Sequence, residues 1–447
     1  MDNFVVENLG PIAKAEVEFG DLTILTGPQA SGKTLFLETF KLVKDFGDII
    51  LDYSEQYSHI NFDELLNYYY GDGMYKVISL QTGIAYNKEQ IDIKSIINFN
   101  ISSSPKLPND NITPDSKSQL YNNLLNIGGT TELMSLSPFF KTIAIPLAGL
   151  STIYSNEGAS LKFYNTIMNA LKQIRDNNNK LSDLEKKAID TLENAVREKV
   201  FFIPAQRSSA ISEGRIQLSR DFVNSPYILI KFSGYLQQFV KSQQNRLISE
   251  TIKNYDFLKD TEINMRRSAG SPRLEMTINK QTIPYMAWST GQRELTPLLM
   301  SLEYFESIPN KDYIIIEEPE IGLHPRAIIE FMFTVLKLMK SGVKVVISTH
   351  SSTPLDFVWA MNHLKESNAD IANIAEMFDF KIKDKSVFDG LAEKVIKVYY
   401  FSPDKKTRKV YSKDISSLDV YSEDEDVSNW GGMSLSADRA GSIVSKF

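Results

Sequence analysis

Leu22-Thr23-Ile24-Leu25-Thr26-Gly27-Pro28-Gln29-Ala30-Ser31-Gly32-Lys33-Thr34-Leu35-Phe36-Leu37 decides how the rest of the chain is read. A β-branched apolar run leads into a Gly-rich turn, and an apolar-periodic segment without a breaker follows. That order predicts strand, loop and helix, with the helix from about Lys33 to Lys44. The turn fits G-x-x-x-x-G-K-[ST]. Gly27 and Gly32 let the backbone of Gly27, Pro28, Gln29, Ala30, Ser31 and Gly32 fold back as an anion cradle for α- and β-phosphates, aided by the helix N-terminus. Lys33 reaches the β/γ oxygens as a point charge, and the Thr34 hydroxyl suits Mg²⁺.

Composition narrows what can surround that turn. The chain has 447 residues, enough for two or three structural units, and its apolar and charged shares are those of a soluble globular protein. A net charge of −7 announces no broad basic field, so tight sequence-independent DNA binding is not indicated. With no cysteine, disulfides, thiolate metal sites and Cys nucleophiles are excluded, and four histidines argue against a multi-His centre. Met1-Asp2-Asn3-Phe4 lacks a signal-peptide start. The longest apolar stretch, Phe139 to Leu150, is too short for a bilayer. A cytoplasmic location, without membrane association, is the expectation.

Outward from the turn, Phe4-Val5-Val6 and Ala15 to Phe19 read as strands. Tyr75 to Ile84 also reads as strand, and Asn87 to Gly129 as polar loops. Leu161 to Lys199 reads as a helical hairpin broken at Asn177-Asn178-Asn179. Val200 to Ile203 is a short apolar run, hence a buried strand. Residues 211–262 read as mostly helical. Leu274 to Ile278 and Gln281 to Pro284 alternate around Asn279-Lys280, which predicts a hairpin. Val395 to Phe401 and Thr407 to Tyr411 predict another. The acidic run Glu423-Asp424-Glu425-Asp426 reads as a solvated tail.

Three more polar clusters end or begin elements. Tyr313-Ile314-Ile315-Ile316-Glu317-Glu318 is an apolar strand tipped by two acids. In an α/β sheet such a tip faces the ligand crevice. Glu317 would hold Mg²⁺, directly or through water, and Glu318 would take a proton from attacking water. Trp288-Ser289-Thr290-Gly291-Gln292 opens a helix. There Ser289 fits an N-cap, or, with the Gly291 backbone, a γ-phosphate contact. Val345 to Thr349 ends at His350, which fits a packed loop histidine or a γ-phosphate sensor.

The order of these pieces resembles the ABC-type ATPases of the SMC, Rad50, RecF and OLD group. Ser289-Thr290-Gly291-Gln292 stands at the signature motif, Glu317-Glu318 at the Walker B acids, Gly322-Leu323-His324-Pro325 at the D-loop and His350 at the switch histidine. The convincing match covers about 1–45 and 285–355. The chain departs from the group at Gln29-Ala30, where Asn-Gly is usual, and at Glu317, where Asp is usual. The resemblance implies an α/β fold: an ABC-type P-loop core, a mixed sheet with flanking helices and an antiparallel β subdomain, holding an inserted helical lobe. The expected division is 1–85 and 285–412 for the core, 86–284 for the insert and 413–447 for the tail.

It further implies ATP and Mg²⁺ as cofactors. The implied catalytic residues are Lys33, Glu318 and His350, and the metal residues Thr34, Glu317 and a Q-loop glutamine. Gln206 is favoured for that glutamine over Gln81. Ser289, Gly291 and Gln292 would complete the site from a second copy, so a homodimer or assembly of dimers is expected. The arm and nuclease domains of larger relatives are not evident, so the profile resembles the stand-alone ATPase subunits of anti-phage systems, AriA of PARIS more than PtuA of Septu. Such subunits imply a separate effector, such as a Toprim nuclease, and a phage protein as trigger. A RecF-like DNA clamp is the alternative, with Arg207, Arg215, Arg220, Arg266, Arg267 and Arg273 as its basic cluster. Arg207 fits either a phosphate or partner contact, or a plain surface position.

Overall fold

The computed structural model describes residues 1–54, 62–79, 81–91, 197–217, 225–242, 246–248, 261–266, 273–380, 385–433 and 444. The chain divides into two compact units, one of residues 1–40, 70–88 and 199–447, the other of 41–69 and 89–198. The helical hairpin expected over 161–199 lies outside the described residues up to 196, and the polar loops from 92 onward do too.

The first unit is built on a mixed sheet. Its strands begin with β1 (Asp2–Leu9), β2 (Ile12–Phe19), β3 (Leu22–Thr26), β4 (Gly83–Tyr86) and β5 (Val200–Ile203). Strands β6 (Arg246–Ile248), β7 (Thr261–Arg266), β8 (Arg273–Ile278) and β9 (Gln281–Pro284) form a separate antiparallel sheet. The main sheet resumes with β10 (Tyr313–Glu317), β11 (Lys344–Thr349), β12 (Ile396–Pro403) and β13 (Val410–Asp414). Its order runs β4-β1-β2-β13-β12-β3-β11-β10-β5. From β12 to β5 every pairing is parallel. All five residues of β3 and of β10 are buried, which is why neither strand alternates apolar with exposed polar residues.

The helices are α1 (Lys33–Lys44), α2 (Phe46–Ser54), α3 (Phe62–Tyr70), α4 (Tyr227–Ser242), α5 (Thr290–Ser307), α6 (Pro325–Lys340) and α7 (Thr353–Glu366). Leu22, Ile24, Phe201, Ile314, Ile316 and Ile347 join residues of α4 to α7 in one core. On the opposite face Phe36 and Phe40 of α1 meet Phe4 and Phe19, with ring centroids 5.2 and 4.4 Å apart. Burying one such ring contributes about 1.5–3 kcal/mol. The sheet therefore presents the C-terminal ends of β3, β11, β10 and β5 side by side.

Several expectations need correction. Met74–Val77 is a 3₁₀ turn capped by Gly73 at φ 78°, and the strand begins only at Gly83. Within 211–262, the described residues hold one long helix, α4, together with strands. The hairpin at Asn279-Lys280 forms with φ of 50° and 66°, the left-handed pair a tight hairpin turn requires. The late hairpin also forms, and its first strand lies beside β3, with Ile396 opposite Leu22. The acidic run is no loose tail. Asp424 caps the short helix Glu425–Ser428, Lys413 pairs with Asp424 and Asp426 at 2.6 and 2.7 Å, and Trp430 is buried.

The second unit contains α2 and most of α3. Lys41 is fully buried there, 2.7 Å from Asp45 and 2.8 Å from Glu198. Burial opposes its charge, but Asp45, Glu198 and Asp48 together outweigh burial and raise its pKa. Removing one partner of such a group costs about 3–5 kcal/mol. Among the described residues no helix is long and apolar enough to cross a membrane.

Candidate functional site

The loop between β3 and α1 needs both its glycines. A Cβ on Gly27, at φ 145°, would stand 2.8 Å from the Phe401 carbonyl oxygen; one on Gly32, at φ 86°, would stand 2.8 Å from Ile12 Cγ1. The backbone passes where no side chain fits, leaving its amides bare for an anion. Pro28, Gln29 and Ala30 form the exposed rim, while Ser31 and Lys33 are buried. Lys33 Nζ donates to the carbonyls of Gly27 and Pro28 at 2.9 and 3.1 Å and to Ser31 Oγ at 3.1 Å. Burial lowers its pKa to about 8, against the pull of Glu318, Glu320 and Glu317. A cation so poorly solvated is poised to exchange loop carbonyls for phosphate oxygens.

Glu317, at the end of β10, is 3 % exposed. Burial pushes its pKa up to about 7, although hydrogen bonds from the Thr34 hydroxyl and the Ala205 amide pull it down. The Ala205 bond spans 3.3 Å, and the other carboxylate oxygen, Oε1, has no hydrogen-bond partner. A buried carboxylate with one bare oxygen, beside a hydroxyl, is a hard oxygen donor set that suits Mg²⁺. No group of three or more His, Asp or Glu side chains that could hold a metal occurs among the described residues. Phosphate oxygens and water would supply the remaining ligands, the usual manner of Mg²⁺ at a nucleotide.

Glu318 follows with φ 41°, a left-handed position for a non-glycine residue. Its N–H donates to the Ser348 carbonyl at 2.8 Å. Its Oε1 lies 3.3 Å from His350 Nε2. The register explains the meeting: Glu317 pairs with Ser348, and Thr349 with Thr26, so His350 leaves the sheet beside Gly27. Glu320 locks this corner, accepting from Thr349 Oγ1 at 2.8 Å and from the His350 amide at 2.6 Å. Sequence reasoning missed Glu320; its only signal was a third acid in Glu318-Pro319-Glu320.

Gln206 sits on the turn after β5, next to the Ala205 amide that holds Glu317. Its side chain is exposed, and its carbonyl accepts from the Ser209 amide at 3.2 Å. Gln81 stands before β4, with β1, β2, β13 and β12 between that strand and β3.

The signature stretch stands apart from these groups. Ser289 caps α5 by accepting from the Gln292 amide at 3.3 Å, while Gln292 Oε1 accepts from the Ser289 amide at 2.9 Å. This reciprocal box satisfies two end amides. A Cβ on Gly291 would meet the Gly322 carbonyl oxygen at 2.5 Å, so the signature and D-loop turns touch backbone to backbone. His324 caps α6 by accepting from the Arg326 amide at 3.2 Å. A cavity of about 810 Å³ opens here, lined by Ser289, Gly291, Gly322, His324, Arg326 and Glu330 among others.

One member of the expected basic cluster is withdrawn from the surface. Arg207, read as a surface or phosphate-facing residue, is 0 % exposed and bound to carbonyls of its own chain. Arg266 pairs with Glu275 at 3.2 Å and Arg273 with Glu213 at 3.9 Å. Arg220 and Arg267 lie outside the described residues.

A phosphate-cradling loop, a buried acid beside a hydroxyl and an acid–histidine pair on adjacent strand ends define a P-loop nucleotide site. A family model described as "AAA ATPase domain" matches residues 1–353, and the chain belongs to that family. Its motif order resembles that of the SMC/Rad50/OLD-like ABC ATPases. The Old nuclease of Escherichia phage P2 is 38% identical over 89 residues, which cover 19% of this chain and 15% of that protein. The Smc head domain of Pyrococcus furiosus, solved with the C-terminal domain of ScpA, aligns with a TM-score of 0.32 and 12% identity over 94% of this chain and 98% of that one. The SMC head domain of Thermotoga maritima aligns with a TM-score of 0.32 and 8% identity over 92% and 97%. Membership of this family implies nucleotide binding.

Proposed function

We propose that the protein hydrolyses ATP to ADP and phosphate at a site completed by a second copy of itself. The observation that carries this reading is the meeting of Thr34, Glu317, Glu318 and His350 at the foot of the Gly27–Thr34 loop. The loop amides hold the α- and β-phosphates and Lys33 the β/γ oxygens, and Thr34, Glu317 and Gln206 are the residues that would hold Mg²⁺. Mg²⁺ held there would neutralise charge on the phosphates. Glu318 accepts the proton of a water as its oxygen bonds to the γ-phosphorus and the bond to the β-γ bridging oxygen breaks. His350 holds that carboxylate in place and senses the γ-phosphate.

Ser289, Gly291 and Gln292 act on the partner's nucleotide. The exposure of Ser289 and the cavity beside these residues support this. The test is complementation. Lys33→Ala and Ser289→Ala chains are each all but inactive alone; mixed equally, about a quarter of the sites regain all their parts. A mixture as dead as its components overturns the shared site.

In the same reading the ATPase is a sensor and scaffold that gates a separate effector, nuclease or toxin, in anti-phage defence, without a nuclease centre of its own. Similarity to a phage protein named as a nuclease supports the setting. The chain spans only 15% of that relative's length, and we assign nuclease chemistry to the effector. Tagged protein drawn from its native cells carries a nuclease or toxin with it. Metal-dependent DNA cleavage by the purified chain alone sinks this assignment.

A further inference from the structure

We infer that Arg207 is a positioning residue that relays the setting of the signature helix to the catalytic Glu318. The inference rests on the ATPase reading above and deepens it. Arg207 is 0 % exposed, and its guanidinium touches three segments at once. Nη1 donates to the Glu317 carbonyl at 2.6 Å and to the Pro204 carbonyl at 3.3 Å; Nη2 donates to the Glu318 carbonyl at 3.1 Å. Nε donates to the Glu294 carbonyl of α5 at 3.4 Å, and the Glu294 carboxylate lies 4.0 Å away. The Ser208 hydroxyl donates to that same carboxylate.

The consequences follow from what each end holds. Glu294 sits on the first turns of α5, the helix that Ser289 caps and Gly291 opens. Glu318 is a non-glycine residue at φ 41°, a conformation that costs about 1–2 kcal/mol and persists only when its surroundings impose it. Its N–H is held by Ser348 and its carbonyl by Arg207. One rigid fork thus grips both the strained peptide behind the catalytic carboxylate and the helix whose start meets the second copy. A planar five-donor group can do this; a lysine, with one flexible ammonium, cannot bridge all three segments. When a nucleotide seats against Ser289 and shifts α5, Arg207 carries the shift to Glu318.

The test is Arg207→Lys in the full-length protein, read by ATP binding, steady-state hydrolysis and a double-mutant cycle with Ser289→Ala. Displacing a catalytic group by about 1 Å costs on the order of 10²-fold, so kcat falls at least tenfold while ATP affinity and KM stay near wild type. In the Ser289→Ala background, Arg207→Lys lowers the residual rate little further, because the message it carries is already cut. Wild-type kcat in Arg207→Lys, or fully multiplicative losses in the double variant, overturns the relay. A merely structural arginine would lower thermal stability and ATP binding together and leave the two losses independent. If Arg207→Lys does not fold, Glu294→Gln carries the test. It keeps an acceptor for Ser208 and removes the charge facing Arg207, so kcat falls about threefold at unchanged KM; unchanged kcat there refutes the relay. Wild-type protein that never hydrolyses ATP refutes the ATPase reading itself, whereas a hydrolysing wild type with an indifferent Arg207→Lys refutes only the relay.

Discussion

Two glycine-bearing turns carry most of the site, and they are built in opposite senses. The Gly27–Thr34 loop turns polar groups inward: Ser31 and Lys33 are 3 % and 5 % exposed, and Lys33 is bound three times within the loop. The Ser289–Gln292 turn faces outward: Ser289 is exposed, and its hydroxyl serves only its own helix. An inward turn is finished by its own chain and needs only a ligand. An outward turn with its own backbone already satisfied has its exposed face and its helix dipole left for another surface.

The sharpest way to break that contrast is at the acid behind the inward turn. Glu318→Gln lowers hydrolysis by about 10²–10⁴-fold, the weight of a general base, while leaving nucleotide affinity intact. Light scattering with ATP present then finds a paired species that persists. A normal turnover rate moves the base elsewhere.

Next in size is the contrast between Lys33→Ala and Ser289→Ala. Removing the loop's charged donor costs on the order of 10²–10³ in hydrolysis and weakens ATP binding in the isolated chain. Ser289→Ala cuts hydrolysis to a residual rate without weakening that binding. Its loss of the N-cap costs about 1 kcal/mol of stability. If both variants lose binding equally, the two turns serve one chain and the division drawn here fails.

The inward turn was legible in the sequence because its chemistry is local. Strand, loop and helix lie within sixteen successive residues, and α1 falls at Lys33–Lys44 as the periodicity predicts. The chain belongs to an ATPase family, as that turn suggests. What stayed hidden depends on distant partners. Arg207 sits in a polar run, and nothing nearby reports that its acceptors lie 110 and 111 positions away. Strand β12 reads as half of a hairpin, yet its other neighbour is β3, from the opposite end of the chain. The acidic run reads as solvated until Lys413 and the buried Trp430 are placed against it. The clash that demands glycine at Gly291 comes from Gly322, a backbone atom no periodicity reveals.

That last contact gives a smaller test of the outward turn. Gly291→Ala drives a methyl to 2.5 Å from the Gly322 carbonyl oxygen, and backbone must move to admit it. Overpacking of this kind costs about 1–3 kcal/mol. Thermal unfolding reads the loss, and ATP affinity at the Gly27–Thr34 loop is unchanged. A stability equal to wild type shows that the two turns are not in contact.

The smallest effect belongs to Ala30, on the rim of the inward turn. It holds φ 60° without being glycine. A Cβ there costs about 1–2 kcal/mol, whereas replacing it by glycine loosens the unfolded chain by about 0.4–1 kcal/mol. The difference favours glycine by about 0.8 kcal/mol, so Ala30→Gly raises the melting temperature by about 1 °C in a chain of this size. The methyl lies on the exposed rim, so no buried contact is lost with it. A fall in melting temperature would mean that this methyl is held by something that outweighs the strain, and the loop would then be stiffened at its rim as well as at its buried lysine.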